Sequence, residues 1–372
     1  MIGFNQSLIL YALVAGISIA LAFLYDQLVC GNFTISSTRL RVHMSLPESL
    51  VATLSAAPLI LLGALRYRVG VDQGAYAKEF YAHAAGKPVH TDRGFQLLNG
   101  LIYHLGGSDQ ALFAVCVGIL VIGVYTFGSL FKGNLCLVVS LFIFSFHYFT
   151  AFSLIAQYTA IGFLCFAFYA LFTGHPISSI LLTVVAGTMH SSSFIFLPII
   201  IVYVILEKIK KRWALTIGLC AVVVVGMANM KFLLPRLLKN SRFKGYLTDP
   251  FYADLKSASM VVIGIAVLLF MLAVLAQSDE ALHDSKILLL FFIQFIETGL
   301  SLMQGDVILL FRLIYYFWFF EIFSVPLFTE YIKNQSIRST IRYAVPFAFL
   351  AWEWFFPLRG NYYYILPYRI KP

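Results

Sequence analysis

The chain has 372 residues, 60% of them hydrophobic and only 12% charged, with a formal net charge of +9 and a mean hydropathy of +0.87. A soluble domain is roughly 45–50% apolar and about 25% charged, so an ordinary water-soluble enzyme is excluded, as is a disordered chain. The five cysteines, Cys30, Cys116, Cys136, Cys165 and Cys220, form no C-x-x-C pair, which excludes a disulfide scaffold and a thiolate metal site.

A helix needs ~20 mostly apolar residues to cross a bilayer. Residues 1–25 contain no Asp, Glu, Lys or Arg. No basic stretch precedes this run and no small-residue cleavage site follows it, so it reads as a retained span rather than a signal peptide. Spans follow at 46–65 and 110–131. The run 133–206 then holds 74 residues without one Asp, Glu, Lys or Arg. At ~1.5 Å per residue that is roughly 111 Å of helix, enough for three or four crossings. Lys132 precedes the run and Lys208, Lys210, Lys211 and Arg212 follow it. Short basic loops stay in the cytoplasm, so both flanks want the same side and the crossing number is even. The run therefore divides at 135–150, 153–172, 177–189 and 193–206, with a break at His190, Ser191, Ser192 and Ser193; its last two pieces are either short crossings or a hairpin. Further spans at 213–230, 257–278, 286–303, 308–328 and 341–357 bring the total to about 12 apolar segments. The fold class is an all-α polytopic membrane protein with short interfacial helices, a single integral domain over 1–372.

This orientation puts both termini outside, together with two long segments, 66–109 and 231–257. Both are basic. Long loops cross largely regardless of charge, and a basic surface beside the outer leaflet suggests an anionic ligand. The first segment opens with Arg66 and Arg68, then Gly70, Asp72 and Tyr76. Arginine offers bidentate hydrogen bonding to phosphate, although snorkelling anchors account equally well for two arginines after a span. Residues 91–105 read as an amphipathic interfacial helix whose start Asp92 would cap. Gln157 lies near the outer end of its span and needs a hydrogen-bonding partner.

His190 meets three serines at a helix break, which implies exposed backbone and a cavity; its ordinary pKa of ~6.5 suits proton transfer. Glu297 is an intramembrane acid, a functional candidate by default, with pairing to an arginine as the structural alternative. Arg312 and Tyr316 share a helix face just beyond Asp306. The tail carries Tyr362, Tyr363, Tyr364, Pro367, Tyr368 and Arg369, an aromatic belt that would also line a sugar groove. There is no P-loop, G-x-G-x-x-G or H-E-x-x-H motif. No cofactor or metal is called for, and no DNA-binding module is present to draw the positive charge to nucleic acid.

The order of these features resembles the EpsG/Wzy-like polysaccharide polymerases. The resemblance rests on Arg66, Gly70, Asp72 and Tyr76, then Gly94, Phe95, Gln96, Leu97, Leu98 and Asn99. It continues with Gln157 and Ala160, where the family's preceding arginine is replaced by Ala156, and with Met189, His190, the serines and Pro198. Arg312 through Phe317 and Leu366, Pro367 and Tyr368 complete it.

Such a resemblance implies a GT-C-like membrane glycosyltransferase in the bacterial inner membrane. It joins undecaprenyl-diphosphate-linked oligosaccharides into O-antigen or a related surface polysaccharide on the periplasmic side. The transfer is metal-independent and inverting, with undecaprenyl diphosphate leaving. Membrane lipids and a chain-length regulator protein are the expected partners. Arg66, Arg68, Arg312 and Arg369 are assigned to the diphosphate, gathered in one half-buried chamber. His190, ahead of Asp72 and Glu297, is assigned as base, and Tyr76, Gln157, Tyr316 and Tyr368 to substrate. An O-antigen ligase, another lipid-linked glycosyltransferase, and a lipid-linked oligosaccharide flippase with no chemistry at all are the alternative readings.

Overall fold

The computed structural model describes residues 3–31, 44–230, 232, 236, 258–303 and 310–370. Asp306 and nearly all of the basic segment 231–257 lie outside the described residues. The described chain is helical, without a strand, and seven of its helices are long and apolar enough to cross a membrane. It is an all-α polytopic membrane protein. It divides into two compact units: residues 1–197 with 339–372, and residues 198–338.

In the first unit, α1 (Phe4–Gly31) and α2 (Leu46–Leu65) pack together, and α2 packs on α5 (Asp109–Gly128). The start of α2 is set by Pro47 in its first turn and by Glu48, whose carboxylate accepts from Ser45 N at 2.7 Å. Between α2 and α5 come α3 (Gln73–Ala84) and α4 (Arg93–His104). On α4, Phe95, Asn99 and Ile102 are buried while Leu97 and Leu101 face outward, the two-sided pattern of an interfacial helix.

The long uncharged run separates much as its polar interruptions suggest. α6 (Leu135–Phe144) starts where Asp26 of α1 accepts from Leu135 N and Cys136 N, both at 2.9 Å. A carboxylate at a helix start satisfies orphan amides and complements the dipole. The expected span 135–150 is not one helix. Phe146 adopts a left-handed conformation (φ 67), and α7 (His147–Thr150) leaves in a new direction. Then follow α8 (Ile155–Phe172) and α9 (Pro176–Met189), a 3₁₀ turn over Ser191–Ile195, and α10 (Phe196–Lys208). The break falls at His190, as the sequence indicates.

α5 and α8 cross at two glycines. A Cβ on Gly162 would stand 2.9 Å from Ile119 O, and one on Gly123 2.6 Å from Gly162 O. Small residues let membrane helices approach this closely. Because the obstacle is backbone, Gly162→Ala is expected to destabilise the protein by about 1–3 kcal/mol, whereas Gly118→Ala, with open space around it, should not. Thermal unfolding of the two variants in detergent checks this.

The second unit holds most of α10, then α11 (Arg212–Ala228), α12 (Ala258–Gln277), the short α13 (Asp279–His283) and α14 (Ser285–Met303). The expected span 308–328 appears as α15 (Leu310–Trp318) and α16 (Glu321–Thr329), interrupted at Phe319 and Phe320. α17 (Gln335–Glu353) leads back into the first unit.

Candidate functional site

The last turn of α2 ends without a following helix to occupy its carbonyls, which are orphans in any helix. Side chains from distant stretches take them one by one. Tyr148 OH donates to Leu59 O and Tyr368 OH to Leu62 O, each at 2.6 Å. Arg66 Nη1 donates to Gly63 O, and Gln110 Nε2 to Ala64 O. The Arg66 carbonyl in turn accepts from Gln110 Nε2 at 2.9 Å and Gln73 Nε2 at 3.2 Å.

The C-terminal tail closes over this end. Arg66 and Ile370 form an antiparallel bridge, with Tyr67 N donating to Arg369 O at 2.8 Å. Gly70 N donates to Tyr364 O at 3.2 Å, and Tyr11 OH to Ile365 O at 2.6 Å. Ser153 Oγ accepts from Val71 N at 2.9 Å, and Ser7 Oγ accepts from Tyr368 N at 2.9 Å. The start of α1, the end of α2, the 146–153 turn and the tail thus meet at one end of the bundle.

Among the described residues, every non-glycine in the left-handed region belongs to these segments: Arg68, Phe146, Asn361, Tyr363 and Tyr364. Such conformations are strained and concentrate at functional sites.

Arg66 is the centre of this knot. Its guanidinium is fully buried between the rings of Phe152 (4.6 Å to the centroid) and Phe113 (5.4 Å), and its Nε has no hydrogen-bond partner. The groups around it are Tyr148, Cys116, Tyr368 and Tyr11, none of them a carboxylate. Burial pushes its pKa down to about 10, so it remains a fixed cation at neutral pH. Arg68 is exposed and lies over the Tyr67 ring at 5.3 Å. Arg369 is half-buried, its Nε likewise unpartnered. Burial raises Tyr368 to about 12, which keeps its hydroxyl a donor.

The backbones of Arg66, Arg68 and Arg369 are therefore brought to the same end of α2, where the Tyr368 hydroxyl meets Leu62 O. Asp72, half-buried, takes the N-cap position of α3, where its carbonyl accepts from Tyr76 N at 3.0 Å. Tyr76 packs its ring edge on Phe95 and accepts from Ala156 N at 3.4 Å, next to the buried Gln157 in the first turn of α8. His190 is half-buried at the end of α9, its carbonyl accepting from Ser193 N and Ser193 Oγ. Met189 before it packs on the cluster that includes Phe95, Phe113 and Cys116, two of which flank Arg66. Asp92 does not cap α4 with its side chain. It accepts instead from Ser191 N at 2.9 Å, holding the turn that carries His190.

Glu297, Arg312 and Tyr316 stand in the second unit. The alternative of an arginine pair for Glu297 is not met among the described residues: Gln294, Thr298 and Ser301 of its own helix lie against its carboxylate at 2.7, 3.2 and 2.7 Å. Arg312 is half-buried on α15 and Tyr316 fully buried. Among the described residues no group of three or more His, Cys, Asp or Glu is gathered as a metal would require.

Tyr11, Gln110, Tyr148 and Ser153 were not foreseen as site residues. Each looks like an ordinary member of an apolar run, and no local spacing marks it. The family model of the EpsG family matches residues 49–370. No curated protein and no solved structure matches the chain.

Proposed function

From the premise that the chain belongs to the EpsG family, a family of glycosyltransferase-like membrane polymerases of polysaccharides, we propose that it joins undecaprenyl-diphosphate-linked oligosaccharide repeat units by glycosyl transfer on the extracytoplasmic face of the bacterial inner membrane. One observation carries this reading. The stretches that carry Arg66, Arg68 and Arg369, from opposite ends of the chain, are joined by an antiparallel bridge between Arg66 and Ile370, and among the described residues no carboxylate pairs with these arginines. Guanidinium groups without carboxylate partners are suited to a lipid diphosphate.

In this reading Arg68 and Arg369 meet the diphosphate directly, while Arg66 supplies a fixed positive charge from behind them. The charge that develops on a departing diphosphate is stabilised most by cations already in place in a low-dielectric site. The acceptor hydroxyl of one repeat unit attacks the anomeric carbon of the other. The bond from that carbon to the diphosphate oxygen breaks, its electron pair leaves with undecaprenyl diphosphate, and the hydroxyl proton passes to His190. Attack opposite the leaving group inverts the anomeric centre, and no metal is required. Asp72 and Tyr76 orient the sugar.

Purified protein supplied with lipid-linked repeat units should produce a ladder of lengthening products. His190→Ala is expected to reduce extension by about 10²–10⁴-fold, the usual contribution of a general base. A full ladder from folded His190→Ala removes it as the base. Movement of the lipid-linked unit across the bilayer with no ladder at all replaces the polymerase reading with transport.

A further inference from the structure

The turn that carries His190 is fixed from outside its own helix. At His190 the backbone leaves α9 for an extended conformation (φ −150, ψ 111). Its N–H still donates to Ala186 O at 3.0 Å, and its carbonyl accepts from Ser193 N at 3.0 Å and Ser193 Oγ at 2.7 Å. The next amide, Ser191 N, opens a new turn, and amides at a helix start are orphan donors. Asp92, 99 residues earlier in the chain, supplies the acceptor: Ser191 N donates to its Oδ2 at 2.9 Å.

That bond is made in place of a local one. Asp92 is the N-cap residue of α4, with the extended backbone (φ −69, ψ 155) from which an aspartate side chain ordinarily caps its own first turn. Its backbone plays that part, with Gln96 N donating to its carbonyl at 3.0 Å, and Gln96 Nε2 steadies the preceding Thr91 O at 2.5 Å. The carboxylate makes no cap hydrogen bond with α4. The two helix ends are also pressed together. A Cβ on Gly94 would stand 2.3 Å from Thr188 Oγ1 and 2.8 Å from the Thr188 carbonyl carbon, so the first turn of α4 lies directly on the last turn of α9. Beyond the break, the Phe194 ring comes within 2.4 Å of where a Gly187 Cβ would be. The turn is thereby closed by its own chain as well as by α4.

α4 carries a second anchor. Phe95, three residues after Asp92, is buried in the cluster that holds Phe113, one of the two rings enclosing the Arg66 guanidinium. One helix start thus grips the turn of the base through Asp92 and the packing behind the arginine through Phe95. Groups held on rigid elements and tied by hydrogen bonds keep a reacting geometry that a free loop does not. We propose that Asp92 is the positioning residue for His190, setting the place of the base relative to Arg66. This rests on the reading in which His190 receives the acceptor proton. Asp92 acts through the Ser191 amide and not on the substrate.

The test measures extension of lipid-linked repeat units by the purified full-length protein. Asp92→Ser keeps a side chain that caps α4 about equally well but is too short to reach Ser191 N. It should melt within a few degrees of the native chain, lower kcat by about 10–10²-fold and leave KM within about 2-fold. Asp92→Asn, with an acceptor oxygen of the same reach, should recover most of the rate. Adding Asp92→Ser to His190→Ala should cost nothing further, because a residue that acts through the base has nothing left to position. Ser191→Pro removes the donor instead of the acceptor, and the extended His190 before it suits a proline. It should reproduce the loss of kcat, and it carries the test if Asp92→Ser does not fold. Native kcat in folded Asp92→Ser, with His190→Ala slow, overturns the positioning role and leaves the base in place. A double variant slower than His190→Ala by the full Asp92→Ser factor also overturns it. Native extension by His190→Ala removes the base itself, and the positioning role with it.

Discussion

Arg66→Met is expected to yield a folded protein that extends its lipid-linked substrate about 10²–10³-fold more slowly than the native chain. The stability side follows from opposing terms. Methionine forfeits the bond from Nη1 to Gly63 O and leaves that carbonyl without its donor, a loss of about 1–3 kcal/mol. It also forfeits stacking of a cation on Phe113 and Phe152, about 0.5–2 kcal/mol for each ring. Against these, it removes a buried charge that has no carboxylate partner, and replacing buried charged groups by apolar ones of similar volume is often neutral or stabilising by about 1–4 kcal/mol. Losses of about 2–7 kcal/mol against a gain of about 1–4 kcal/mol leave a net loss of about 1–3 kcal/mol, so melting should fall by several degrees without preventing folding. The rate side has no offsetting gain. Loss of a preorganised charge facing the developing diphosphate is a loss of transition-state stabilisation on the scale of a missing oxyanion donor, about 10²–10³ in kcat. Arg66→Lys should fall between, since it keeps the charge but loses the planar stack. If Arg66 were only a brace for α2, the outcome would reverse. Melting of Arg66→Met would drop steeply while the folded fraction kept its native kcat.

The parts of the molecule that announced themselves in sequence are those written in composition. Hydrophobic runs separated by polar interruptions placed the helices of 133–206 within a few residues, because hydration of a charge or a broken backbone in hydrocarbon outweighs every local preference. His190 is the clearest case, a break signalled by a polar run within an apolar one. What stayed hidden was the pairing of distant stretches. Phe146 and Tyr363 turn the chain through the left-handed region without a glycine to advertise it. Tyr148 and Tyr368 reach the carbonyls of Leu59 and Leu62 across 89 and 306 residues of sequence. Asp92 was expected to cap its own helix, and its side chain instead holds a turn 99 residues away. Glu297 is the opposite case: its hydrogen-bonding partners lie three residues before, one after and four after, on its own helix, a spacing legible in the sequence.

The same knot supplies the largest expected change in stability. Gly70 has φ +105, a conformation closed to residues with a side chain, and it approaches the 146–153 turn so nearly that a Cβ would lie 2.3 Å from Phe152 O and 2.7 Å from its carbonyl carbon. Both obstacles are backbone, so no rotamer change relieves them. Adding strain of about 1–3 kcal/mol for the forced conformation to overpacking of about 1–3 kcal/mol gives Gly70→Ala an expected loss of roughly 2–6 kcal/mol, enough to remove most of the folded protein from the membrane. Relief by backbone movement would separate Gly70 N from Tyr364 O and shift Phe152 off the Arg66 guanidinium, so whatever folds should also extend poorly. Gly74→Ala is the matched comparison four residues on. It sits exposed in α3 with open space around it, and alanine there should stabilise the helix by about 0.5–1 kcal/mol. Membrane yield and thermal melting of the two variants separate the cases. Equal stability would mean that residue 70 is not held against the turn, and that the tail and the end of α2 are joined in some other way.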